Sequence, residues 1–181
     1  MNFIKVQDHL LTKQECTEAI EWCHTNIGLI EDINKERVTG YDYCNLMEWG
    51  ADYAQSFSAV SLRPIYRAIN ILKDSYIKSF PEVNRLEPWR IQYVRLKRWT
   101  RNNHYSIWHS EHMPQWSGRV LSFLIYLSDN NAHTEFRRYR NVRTKAGRGI
   151  MFPAYFTHEH RGAICKNGLD RYIVSGYCGF K

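Results

Sequence analysis

Apolar positions along the chain follow two periods in turn. Up to about residue 80 they recur three and four residues apart. Cys16, Ala19, Ile20 and Cys23 form one stripe, and Thr12 and Glu15 precede it at the spacing of a capping box. This predicts a helix over 12–26, ending near Asn26 or Gly28. Residues 29–50 mix apolar and polar types around breaks at Thr39-Gly40 and Trp49-Gly50 and read as loop with some strand. Residues 51–80 are helical in character. Pro64, which lacks a backbone donor, divides them into helices at about 52–61 and 64–79, and Pro81 closes the second.

Beyond Pro88 the period shortens. Residues 89–97 alternate and are rich in β-formers, and residues 120–127 read as a buried strand stopped by the polar cluster 128–131. Short strands follow at 134–136, 149–152 and 171–178. Short strands separated by turn clusters predict a β-sandwich or barrel, and the helices in front make the whole α+β.

At 181 residues the chain is long enough for a real core, and the length predicts one domain over 1–181, with mainly helical support over 1–88 and a β core over 89–181. A hydrophobic content of 44%, 14% of the chain being aromatic, excludes disorder. The longest apolar run, 120–127, is too short for a membrane span, and the first residues lack the apolar core of a secretory signal. Five cysteines at irregular spacing, with no C-x-x-C pair, predict reduced buried thiols and a cytoplasmic protein. The net charge of +7 is unevenly placed: residues 1–90 carry −3 and residues 91–181 carry +10. Arg137, Arg138, Arg140, Arg143, Lys145 and Arg148 concentrate it. Such a stretch suits an acidic peptide or a phosphate backbone, but no stacking platform accompanies it. A solvated hairpin whose cations blunt an edge strand is therefore the preferred expectation.

Candidate chemistry rests on the histidines. His109-Ser-Glu111 is a His-x-carboxylate pair, which on a strand puts both side chains on one face. With a third ligand from elsewhere it forms the two-His-one-carboxylate triad that leaves positions open on iron. A second such pair, His133-Thr-Glu135, also occurs. The strand-like approach 105–108 favours the first, because His133 follows directly on a turn cluster. The first pair also has a rich partner segment downstream at 152–162, which contains His158 and His160.

Five elements in order then resemble the iron(II)/2-oxoglutarate dioxygenases, specifically their prolyl 4-hydroxylase-like branch of phages and bacteria. They are Tyr105-x-x-Trp108-His109-x-Glu111; the run 119–127; Thr134-Glu135-Phe136; the run 147–153 leading to Thr157-His158-Glu159-His160-Arg161-Gly162; and Arg171 opening the last strand. The resemblance covers about residues 89–181. It implies a double-stranded β-helix (jelly-roll) core, with iron(II) held by His109, Glu111 and His160. His160 is preferred to His158 because the family's cosubstrate-binding basic residue follows its distal histidine by nine to eleven positions, and Arg171 is eleven beyond His160. His158 is then a turn residue. Arg171 and Tyr126 are implied to bind the distal carboxylate of 2-oxoglutarate, with help from Ser122, while Arg119 orders the neighbouring loop.

The implied reaction consumes dioxygen and converts 2-oxoglutarate to succinate and carbon dioxide while hydroxylating a C–H bond. The branch suggests a prolyl residue of a peptide or protein substrate, with an acidic one as an option, handled by a monomer or homodimer. The sequence departs from the family in three places. Glu111 stands for the usual aspartate, Asn131-Ala132-His133 replaces a Gly-Gly turn, and Trp99 occupies a position where the family has tyrosine, for which Tyr93 is the alternative. Alternatives from other classes are an oxygenase acting on a nucleobase or small metabolite, a non-catalytic basic jelly-roll module, and a zinc hydrolase. The last would have little use for Arg171.

Overall fold

The computed structural model describes residues 2–26, 41–47, 57–86, 90–100 and 103–179. In chain order the elements are β1 (Lys5–Gln7), α1 (Lys13–Thr25), β2 (Tyr41–Met47), α2 (Arg63–Ser79), β3 (Arg90–Trp99), β4 (Arg119–Tyr126), β5 (His133–Phe136), β6 (Val142–Arg143), β7 (Gly149–Pro153), β8 (His160–Gly162) and β9 (Arg171–Gly179).

The first helix starts where its capping box dictates. Glu15 N–H donates to Thr12 Oγ1 at 3.2 Å, and Thr12 N–H donates to Glu15 Oε2 at 2.8 Å. Pro64 does not divide two helices. It sits in the first turn of α2, where the missing donor costs nothing, and a short 3-10 turn, Val60–Leu62, precedes it in place of the last residues of the expected 52–61 helix. Residues 52–56 of that expectation lie outside the described ones, as do Gly28, the breaks at Thr39-Gly40 and Trp49-Gly50, and Trp89.

The strands form two antiparallel sheets, ordered β1-β7-β4-β9-β3-β2 and β6-β5-β8. This is the jelly-roll expected from the sequence. The larger sheet takes its two edge strands from the chain before residue 89, β1 from a segment with no strand signal and β2 from the mixed stretch 29–50. Strand alternation separates two cores. On one face, Val94, Leu96, Phe123, Ile125 and Val174 pack on the helical stripe of Ile65, Ala68, Ile69 and Leu72. On the other, Trp99, Tyr126, Ile150, Phe152 and Ile173 meet Phe136 and Val142 of the smaller sheet.

Two local features tie the frame together. The β3–β9 register shifts between Gln92 and Arg95, and Tyr93 there has φ of 52°. After this bulge Arg95, Lys97 and Trp99 point between the sheets while Val94 and Leu96 point at the helices. Gly147, with φ of 76°, turns the chain so closely under the N-terminal segment that a Cβ would lie 2.2 Å from Leu11 O. Cys16, Cys23, Cys165 and Cys178 are buried free thiols, as expected; the side chain of Cys44 lies outside the described ones. Among the described residues no helix is long and apolar enough to cross a membrane.

Candidate metal and cosubstrate site

His109 is not on a strand. Residues 105–108 approach it without regular structure, and His109 meets β8 through a single antiparallel bridge, with paired backbone hydrogen bonds of 3.1 and 3.0 Å to His160. The strand geometry invoked for a His-x-carboxylate pair belongs instead to His133 and Glu135 on β5. There alternation sends Thr134 and Phe136 inward and leaves His133 and Glu135 on the outer face. They pair with each other at 3.1 Å, and Glu135 also pairs with Arg161 of β8. The strand-like approach expected for the first pair is therefore absent, yet His109 and Glu111 do converge with His160.

His109, Glu111 and His160 bring one donor atom each to within 4.8 Å of one another, the one such group among the described residues. Glu111 Oε1 lies 3.3 Å from His109 Nε2 and 3.9 Å from His160 Nε2. Neighbouring donors around an octahedral ion with bonds of about 2.1 Å stand about 3 Å apart, so a small inward shift suffices. Backbone carbonyls fix the tautomers: Nδ1 of His109 lies 3.0 Å from Ile107 O, and Nδ1 of His160 lies 3.1 Å from His158 O. An Nδ1–H donated to a carbonyl leaves the Nε2 lone pair of each ring for a ligand bond.

The electrostatics agree with ligand forms. Burial alone would raise the Glu111 carboxyl. The neighbouring His109, with Lys97 beyond it, outweighs burial and holds the group well below the usual carboxylate range. Burial, reinforced by His109 against the pull of Glu111, pushes His160 down to about 3, so its ring is neutral at pH 7. Burial likewise pushes the Lys97 amine down to about 8, with Glu111 opposing and Arg95 and Arg119 adding to it.

The triad opens on a cavity of about 160 Å³ between the sheets. At its far end Arg171 is only 3% exposed, and among the described residues no carboxylate comes within ion-pairing distance of it. Its Nη2 donates to Thr134 Oγ1 at 3.3 Å, and its buried Nε has no partner. An arginine stays charged in proteins, so an orphaned buried guanidinium calls for an anion. Tyr126 reaches this end indirectly, its hydroxyl lying 2.7 Å from Thr134 Oγ1. Ser122 is buried in β4, opposite Phe152 and Tyr177, and is not among the cavity-lining residues. His158 occupies a turn, buried, with Nε2 2.8 Å from Asn2 O, and is not one of the converging donors.

Sequence reasoning missed Thr134, Lys97, Ser175 and Tyr177, all of which line the cavity. Thr134 stands inside the quoted Thr-Glu-Phe element, and inward alternation along β5 was the available signal. Trp99 and Tyr105 also line the cavity, whereas the Trp108 ring is approached by the guanidinium groups of Arg137 and Arg161 at 4.8 and 4.6 Å.

No family model matches the chain, and no curated protein is similar to it in sequence. Solved structures are similar in fold. The viral collagen prolyl hydroxylase of Paramecium bursaria Chlorella virus-1, solved in complex with 2-oxoglutarate, has a TM-score of 0.71 at 14% identity, covering 99% of this chain and 97% of that one. A Pseudomonas putida prolyl 4-hydroxylase has a TM-score of 0.71 at 15% identity, covering 100% and 94%. The Trichoplax adhaerens prolyl hydroxylase, in complex with a peptide of hypoxia inducible factor, has a TM-score of 0.65 at 14% identity, covering 99% and 84%. The chain has the jelly-roll fold of these hydroxylases.

Proposed function

We propose that the protein is an iron(II)- and 2-oxoglutarate-dependent oxygenase that hydroxylates a prolyl residue of a peptide or protein. The observation that carries the reading is a pairing within one cavity. Two Nε2 atoms and a carboxylate oxygen converge at one end, and a buried guanidinium with an unsatisfied Nε stands at the other. A hydrolytic metal site needs the first feature but not the second. The prolyl part draws on the substrates named for the structural neighbours; a fold alone does not assign a substrate.

His109, Glu111 and His160 would hold the metal, and two neutral imidazoles with one carboxylate leave a +1 site with open positions. Bound iron(II), 2-oxoglutarate and dioxygen supply oxidation of a C–H bond coupled to release of succinate and carbon dioxide. The chain supplies the rest. Arg171 and Thr134 receive a distal carboxylate and fix its direction. Leu124 and Ile173 wall the cavity with apolar surface, so that the anion meets the guanidinium in a drier medium where the attraction is stronger. Tyr126 holds Thr134 in place. Gly162 leaves the room that Arg171 needs: a Cβ there would lie 2.8 Å from Arg171 Nη1.

Anaerobic addition of iron(II) and 2-oxoglutarate should produce the weak visible charge-transfer band of a chelated complex. In air, proline-containing peptides should gain one oxygen atom, with succinate formed in equal amount. His109→Ala and His160→Ala should each abolish both, while His133→Ala and His158→Ala should leave the band in place. A band lost in His133→Ala alone would refute the choice of ligands, and a band without peptide oxidation would refute the prolyl assignment.

A further inference from the structure

Both oxygens of the Glu111 carboxylate are engaged, and by different groups. Oε1 faces the two Nε2 atoms at 3.3 and 3.9 Å. Oε2 turns the other way, accepts a hydrogen bond from the Tyr177 hydroxyl at 2.9 Å, and lies 3.7 Å from Arg119 Nη1. Arg119 is fixed in turn. Its guanidinium carbon stands 3.8 Å from the centre of the Tyr177 ring and 4.4 Å from that of Trp116. These three side chains come from the loop after β8's bridge partner His109, the start of β4 and the end of β9, where Gly118 and Gly179 approach so closely that a Cβ on Gly179 would lie 1.9 Å from Gly118 O.

The arrangement matters because the acid is glutamate. Carboxylates bind metals through one oxygen or two. The extra methylene lets Glu111 turn its carboxylate toward an ion more freely than aspartate can, and a chelating carboxylate takes a coordination position that a cosubstrate would otherwise use. An oxygen already engaged by a hydroxyl donor and a guanidinium is held away from the metal.

We propose that Tyr177 and Arg119 act as a clamp on Glu111 Oε2, so that the glutamate ligates through Oε1 alone and a second position stays open for 2-oxoglutarate. The inference rests on the triad being a metal site. Tyr177 and Arg119 are positioning residues: they act through Glu111 and replace no ligand.

Manganese(II) serves as a redox-silent probe. Its affinity is read from the electron paramagnetic resonance of the free ion, and 2-oxoglutarate is then titrated calorimetrically into manganese-loaded protein. Tyr177→Phe keeps the ring beneath Arg119 and deletes only the donor. This variant should bind manganese(II) at least as tightly as wild type, because the freed oxygen joins the metal. It should bind 2-oxoglutarate about tenfold or more weakly, the loss of one hydrogen bond to a charged group. Arg119→Gln should shift both affinities in the same directions. In a Glu111→Asp background, Tyr177→Phe should change 2-oxoglutarate affinity by less than about twofold, since the shorter acid does not need the clamp. A parallel loss of both affinities would mark a merely structural role and overturn the clamp. So would a Tyr177→Phe protein indistinguishable from wild type. Wild-type protein that holds no manganese(II) overturns the metal-site reading and the clamp with it, whereas normal wild-type binding with a silent Tyr177→Phe overturns the clamp alone.

Discussion

Gly162 and Thr134 show how closely the Arg171 end of the cavity is fitted at the scale of single atoms. A methyl group on Gly162 would lie 2.8 Å from Arg171 Nη1 and 3.4 Å from Tyr105 N, so Gly162→Ala must displace the guanidinium. Thr134→Val deletes the acceptor of Arg171 and the partner of the Tyr126 hydroxyl while keeping the shape of the side chain. Each variant should weaken 2-oxoglutarate binding by about tenfold, roughly one hydrogen bond to a charged group, and leave manganese(II) affinity unchanged. Calorimetry on metal-loaded protein checks both. An unchanged 2-oxoglutarate affinity in Gly162→Ala would mean that Arg171 does not meet the cosubstrate there. The triad and Arg171 were legible in the sequence because each stands in a short run with its own pattern. Tyr177 and Thr134 were not, because what gives them a role lies far along the chain. Glu111 is 66 residues from Tyr177, and Arg171 is 37 from Thr134.

The same contrast between local and distant causes governs the elements. β4 and β9 carry long β-forming runs, and they and the shorter β7 lie within a residue of the expected ranges. β1, β6 and β8 have three, two and three residues and exist because a partner strand presents its edge, which no local pattern reports. Strand β1 shows what such an element needs in addition. It pairs with β7, and Asp8 just beyond it is held by Arg148, with Nε to Oδ1 at 2.6 Å, and by Lys145. The hydrogen bond from Arg148, with both positive charges acting against partial burial, lowers the Asp8 carboxyl from 3.8 to about 2. Because the folded value is depressed, this stabilisation is fully present above about pH 4 and is lost as the pH falls toward 2. The pair is partly exposed, so its worth is at most about 1 kcal/mol. Asp8→Asn should therefore be less stable than wild type to urea at pH 6, with the difference narrowing at pH 3. A difference independent of pH would assign the effect to packing of the segment instead of its charge.

For the molecule as a whole, the unresolved question in the composition was where the +10 of residues 91–181 acts. Arg171 faces the cavity, and Arg119 and Arg161 are engaged by Glu111 and Glu135. Within the stretch 137–148, Arg137 pairs with Glu159, and Lys145 and Arg148 pair with Asp8. That leaves Arg138, Arg140 and Arg143 exposed around β6, the edge of the smaller sheet, where cations discourage another strand from adding on. On this view their work is with solvent. Replacing all three by serine should leave the melting temperature within about 2 °C, the usual size of surface changes in a chain of this length. Manganese(II) and 2-oxoglutarate affinities should not change, and neither should turnover of a neutral proline peptide. Turnover of an acidic proline peptide at physiological ionic strength decides the point, because exposed charges steer an oppositely charged partner over distances that salt shortens to about 8 Å. Equal kcat/KM in wild type and the triple variant is the expected result. A loss confined to the acidic peptide, and erased by added salt, would make the hairpin part of the substrate path.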